Sequence, residues 1–322
     1  MKRSHLRTRR LAAETLENRA LLAGDISAHV FGGVLVLVGD SAANGVKIQA
    51  SGDSLEVVGT EAGGAATTIN GQTSFTANGV TGGLAAWLRN GNDSLVFGDG
   101  SAVTIPGTVV VGTGNGDDSI SGSLNNGGRA ILTTGAGGDD VSLSDSVLGS
   151  LAITTDFWGS ANPGGDTVSL DGVQANRGAV IGTGGGDDTV DISGDSAFPL
   201  FLSIATGDGA DEVNLIGTED KAVSVGNALV IATGRGNDIV NAAYVDVDGV
   251  ATISNLSGDA TVTLDNVDAT DGLFAWLGSG DDELTISKSS SARAGLGGGA
   301  GSDTLTLQDV DFTRLSKFSF EQ

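Results

Sequence analysis

The chain has 322 residues, with 53 Gly, 3 Pro, 1 Tyr, 3 Trp and no Cys. Glycine without a three-residue period excludes collagen, an apolar fraction of 39% excludes simple disorder, and the lack of cysteine excludes disulfides and thiolate chemistry. A balance of 16 basic against 40 acidic residues gives a net charge of −24, which argues against a nucleic-acid partner, because phosphate contacts need Lys and Arg.

The first element is residues 1–25, MKRSHLRTRRLAAETLENRALLAGD, a basic, nearly Gly-free stretch. Its Leu, Ala, Glu and Arg predict a short helical leader. Glu14, Glu17, Asn18 and Arg19 interrupt the apolar run that a general secretory signal needs. Arg9, Arg10, Leu16, Glu17, Arg19, Leu21, Leu22 and Ala23 together resemble the N-terminal motif of planctomycete extracellular proteins, a basic run followed by Leu-Glu-x-Arg-x-Leu-Leu and a small residue. That resemblance implies export to the cell surface or the extracellular space, and nothing about activity. A frayed basic helix without a role is the other reading. Past residue 24 only 10 basic residues face 38 acidic ones. That acidity favours solubility or cations as partners.

From residue 26 to 322 a single repeat domain is expected. Aligned on the last Asp of each Gly-Asp string, the repeats fall at Asp93, Asp118, Asp139, Asp166, Asp188, Asp211, Asp238, Ala260, Asp282 and Asp303, with spacings from 21 to 27 and mostly near 22. Asp53 fits as an earlier member, with a degenerate unit near Thr73 between it and Asp93. Glycine stands two residues before all ten aligned positions, and a Leu, Ile or Val two residues after. Seven and nine residues before them lie further apolar pairs, such as Val111 and Val109 or Ile204 and Leu202; the Asp166 unit matches through Leu151 and Ile153 after a six-residue insertion. Some repeats add a third apolar point, such as Val173 or Val245.

Alternate apolar positions mark half-buried strands. A unit too small to bury its own inward side must stack on its neighbours. The predicted fold is therefore all-β, a parallel β-solenoid (β-helix or β-roll-like) of about 12 coils. Caps are expected at 29–40 and 312–322, where Phe318 and Phe320 alternate as a closing strand would. No apolar run reaches the roughly 18 residues of a membrane span.

The repeat core reads Thr-Gly-x-Gly-x-Asp-x-apolar, as in TGNGDDSI (113–120) and TGGGDDTV (183–190). It resembles the RTX nonapeptide, with Thr where the first Gly usually sits and one turn per coil instead of two. By that resemblance the nine aligned aspartates become calcium ligands, joined by Asp117, Asp187 and Asp281 from the doubled acids. A carboxylate row with a stacking repeat of about 4.8 Å would repel itself, and a hard cation with oxygen ligands would neutralise it. Turn geometry alone also accounts for the pattern, since Gly supplies positive φ and Asp accepts backbone N–H bonds.

Strand alternation points Trp87 and Trp276 outward, next to an apolar stripe through Val110, Ile131, Val180, Val230 and Phe274; a partner surface or a covering loop would explain it. The insertion at 156–164 carries Phe157 and Trp158, a self-packed loop tip or a sugar-stacking site. His5 and His29 both lie outside the repeats, and basic residues are scattered. The chain therefore reads as non-enzymatic, an exported structural or adhesion-type solenoid whose partners are calcium and cell-envelope, matrix or polysaccharide components. The alternative is a carbohydrate-binding or polysaccharide-lyase-like β-helix.

Overall fold

The structure is a computed structural model that describes residues 24–156 and 164–320. Within them the chain is all β, a parallel β-solenoid of about 10 turns with a period near 22 residues. Each full coil has three strands. In one coil these are Ala179–Gly185, Thr189–Ser193 and Ala197–Phe198. They stack in parallel on Phe201–Asp208, Glu212–Ile216 and Val223–Val225 of the next coil. The third strand is the short apolar point seen in only some repeats.

Stacking is in register, so inward residues form columns. Val109, Ala130, Leu151, Ala179 and Leu202 follow one another along the first face, each buried. Val141, Val168, Val190 and Val213 do the same on the second. Most parallel sheets are covered on both faces and read as unbroken apolar runs. Here only the inside is covered, and Phe201–Asp208 alternates exposed and buried positions accordingly.

The count of about 10 turns falls short of the 12 expected because the first coils of the expected array fold differently. Asp25–Phe31 pairs antiparallel with Val34–Val38, and Gly45–Ser51 with Ser54–Ala62. Ser51–Ser54 closes a hairpin that places Asp53 at an exposed tip. Ser74–Ala77 pairs antiparallel with Ser54–Ala62, so the region of Thr73 forms no coil. The N-terminal cap is thus larger than 29–40 and reverses strand direction, leaving Val34–Val38 and Gly45–Ser51 as the layer on which the parallel coils start. At the other end Leu315–Phe318 stacks parallel on Ala294–Gly297. Phe318 is 54% exposed with its ring 6.0 Å from that of Trp276, and Phe320 packs against the core beyond the strand. The helical leader expected over 1–25 falls almost wholly outside the described residues, and Asp25 already belongs to a strand. Residues 157–163 of the insertion, with Trp158, also lie outside them.

The glycine two residues before each aligned Asp is required by close approach. Gly186 has φ 116°, and a Cβ there would sit 1.6 Å from the carbonyl oxygen of Gly164 in the previous coil. The clash is with backbone, which cannot step aside without opening the stack. Gly186→Ala is expected to destabilise the rod by at least about 2 kcal/mol, read as a lower midpoint in chemical unfolding; an unchanged midpoint would mean that the coils are not in this register.

Candidate functional site: an internal ladder of aspartates

The aligned aspartates point into the rod. Asp93, Asp118, Asp139, Asp166, Asp188, Asp211, Asp238, Asp282 and Asp303 are all at most 2% exposed. Each meets a backbone N–H of the coil before it. The N–H groups of Asn44, Asp93, Asp118, Asp139, Asp166, Asp188, Asp211, Ala260 and Asp282 donate to the Oδ1 atom of the next aligned Asp at 2.7–3.2 Å. The ordinary ladder runs beside this contact, for the N–H of the following residue donates to the aligned carbonyl of the coil before, as Asp140 does to Asp118 at 2.9 Å. A buried N–H at the corner would otherwise lack an acceptor. Asp118 therefore ties its coil to both neighbours.

Thr113, Thr134, Thr155, Thr183, Thr206 and Thr233 line the same corner, all buried. The first five hydroxyls donate to the carbonyl of the next Thr in the series at 3.0–3.3 Å. Thr155 also reaches Asp166 Oδ2. This threonine column was visible in the repeat as the first letter of its core, but no local signal said that it faced the carboxylates. A third column, also unanticipated, runs along another corner: buried Ser146, Ser196 and Ser289 accept from the N–H groups of Leu124, Val173 and Val267 at 2.9–3.0 Å.

Two departures from the repeat fall together in one coil. At Ala260 the carboxylate is missing, and Asn255 stands where other coils have Thr. Its side-chain amide donates to Asp238 Oδ2 at 2.9 Å in the coil before. In the first layer Asn44 occupies the aligned place and its side chain approaches Asp93 Oδ1 at 3.3 Å.

The doubled acids do different work. Asp117, Asp187 and Asp281 lie one residue earlier, on the solvent side. Their Oδ1 atoms accept from Gly138, Ala210 and Ser302 of the following coil at 2.8–3.1 Å. Asp259 accepts in the same way from Asp281 at 2.8 Å. Outer side chains thus reach toward the C-terminal end and inner ones toward the N-terminal end.

The second oxygen, Oδ2, of Asp93, Asp118, Asp139, Asp188, Asp211, Asp282 and Asp303 is buried without a hydrogen-bond partner. Burial is the largest influence on six of them and pushes Asp93 and Asp188 up to about 7 and Asp118, Asp139, Asp211 and Asp282 up to about 6. Asp166 and Asp238 are raised for the same reason. Carboxylates of adjacent coils add to the rise at Asp118 and Asp188, while Thr hydroxyls and the capped N–H groups oppose it. Among the described residues, no three His, Asp or Glu side chains converge on a point that could hold a metal ion. The inner Oδ1 atoms are committed to backbone N–H groups. No protein-family model, curated protein or solved structure matches this chain, and its function has to be read from these contacts.

Because the inner carboxyls from Asp93 to Asp282 titrate above their ordinary value of 3.8, the folded rod binds protons more tightly than the unfolded chain. The stability this adds is complete below about pH 4 and is lost as pH rises through about 6–7. The melting temperature is expected to be higher near pH 5 than near pH 8. Asp188→Asn keeps the acceptor for Asp166 N–H and should flatten that dependence. Asp188→Ala removes the acceptor and should cost about 1–3 kcal/mol. Equal unfolding midpoints for the two variants would contradict the ladder.

Proposed function

We propose that the protein is an exported, non-enzymatic structural or adhesion-type β-solenoid of the cell surface or matrix. The observation that carries this reading is the unequal use of its polar groups. Side chains that would suggest chemistry are buried and join coil to coil, repeated along the rod instead of gathered in one cleft. The leader's resemblance to an extracellular sorting motif supports export. In the producing cell the full-length chain is expected in the envelope or medium fraction, and Arg19→Glu with Leu21→Glu in the leader should retain it inside. Wild-type protein confined to the cytoplasm would overturn the reading.

Calcium attaches to this reading through the outer row. Asp187 and Asp281 each use one oxygen on the following coil, Asp117 accepts from Gly138 through Oδ1 and from Asn92 through Oδ2, and all three stand in solvent, which supports surface binding that steadies the rod without building its core. Millimolar calcium is expected to raise the melting temperature of the wild type, since a ligand of the folded state stabilises it by mass action. The rise should shrink in the Asp117→Asn, Asp187→Asn, Asp281→Asn triple variant. Identical melting curves with calcium and with chelator would remove calcium from the proposal.

A further inference from the structure

One outward column of the first face runs in unbroken register through Trp87, Gly112, Thr133, Thr154, Gly182, Ala205, Ala232, Ser254 and Trp276. Between the two tryptophans it is a trough of small residues, and in register beyond them stand Val38 on one side and Gly297 and Phe318 on the other. The two ends differ. Trp276, 43% exposed, has the ring of Phe318 at 6.0 Å. Trp87 is 48% exposed, beside a shallow depression floored by Gly112, Gly114 and Thr133 and edged by Arg89.

Arg89 breaks the repeat. The position four before the aligned Asp is glycine in most coils, as at Gly114, Gly135, Gly184 and Gly207. Arg89 is held there at φ 86°, a left-handed conformation that a long side chain adopts only at a cost. Arg89 is exposed, and its guanidinium has no salt bridge and no hydrogen bond among the described residues, although 38 acidic residues lie past residue 24. A strained cation left unpaired in an acidic rod, next to the better exposed of the two trough tryptophans, is arranged for something outside the chain.

We propose that Trp87 and Arg89 form a binding site for a glycan bearing carboxylates, a uronate-containing polysaccharide. The indole face offers an apolar platform for the C–H face of a pyranose ring. The guanidinium fork matches a carboxylate with two parallel hydrogen bonds. The hydroxyl of Thr133 donates to Val111 O at 3.1 Å, which leaves its oxygen free to accept from a sugar hydroxyl. Gly112 carries no side chain between Trp87 and Thr133, where a Cβ would touch Trp87 Cδ1 and Thr133 Oγ1. The site gives the adhesion reading a ligand, and it rests on that reading only for its biological setting, since localisation and binding are measured separately.

The test is fluorescence titration of the full-length chain in a Trp158→Phe, Trp276→Phe background, so that Trp87 alone reports. The probes are oligogalacturonate, oligoalginate and hyaluronan fragments, with cello-oligosaccharide as the neutral comparison. At least one acidic oligosaccharide is expected to bind about tenfold more tightly than the neutral one. Arg89→Gly should abolish that preference while melting no lower than the wild type, because glycine is what the backbone there favours. Trp87→Ala, followed by calorimetry, should lose binding altogether. Binding of no acidic oligosaccharide, equal binding of acidic and neutral chains, or an unchanged preference in Arg89→Gly would each overturn the proposal.

Discussion

The rod depends on one contact, the backbone N–H at the aligned corner donating to the carboxylate of the coil that follows. A strand ladder satisfies N–H and C=O groups along each face, but it is interrupted where the chain turns. The corner N–H is buried there, and an unpaired buried donor is costly. Asp139 and its counterparts place an acceptor at that point in nearly every coil. The glycine two residues earlier lets the backbone of successive turns come close enough for the bond to form. Where the carboxylate is absent, at Ala260, the neighbouring Asn255 supplies a polar contact of its own.

This contact brings a second constraint. A row of inward carboxyls, seven of the nine with one oxygen unpartnered, is expensive to keep charged. The threonine column reduces the expense, and the raised pKa values show that much of it remains. The interior is therefore linked to proton concentration, and the exterior carries a separate carboxylate row with its own solvent-facing oxygens. One repeat thus contains two acids of different character, distinguished only by which side of the turn they occupy.

Much of the fold was legible because its signals are local. Period-two alternation marked Val109 and Val111 as inward, and Leu151 and Ile153 kept that role despite the insertion. Trp87 and Trp276 were legible as outward for the same reason. The N-terminal cap was not. Asp53 sits in a Gly-Asp string like the others, yet its strands reverse instead of stacking, because Ser51–Ser54 closes a tight hairpin. The serine column was also hidden, since Ser146, Ser196 and Ser289 look like ordinary turn residues until their partners one coil away are seen.

By itself the sequence determined the repeat, the turn and the inward columns. Each follows from short-range sterics: glycine where no Cβ fits, and apolar residues at every second position of a strand. The tertiary structure alone decided what the aspartates are for. An Asp in a turn can face solvent, a cation or the interior, and its choice depends on a partner roughly 22 residues away that only stacking brings within reach. For the same reason Arg89 is unremarkable as a letter in the chain. Its strain and its lack of a partner become visible only when its coil is laid against the glycines of the others.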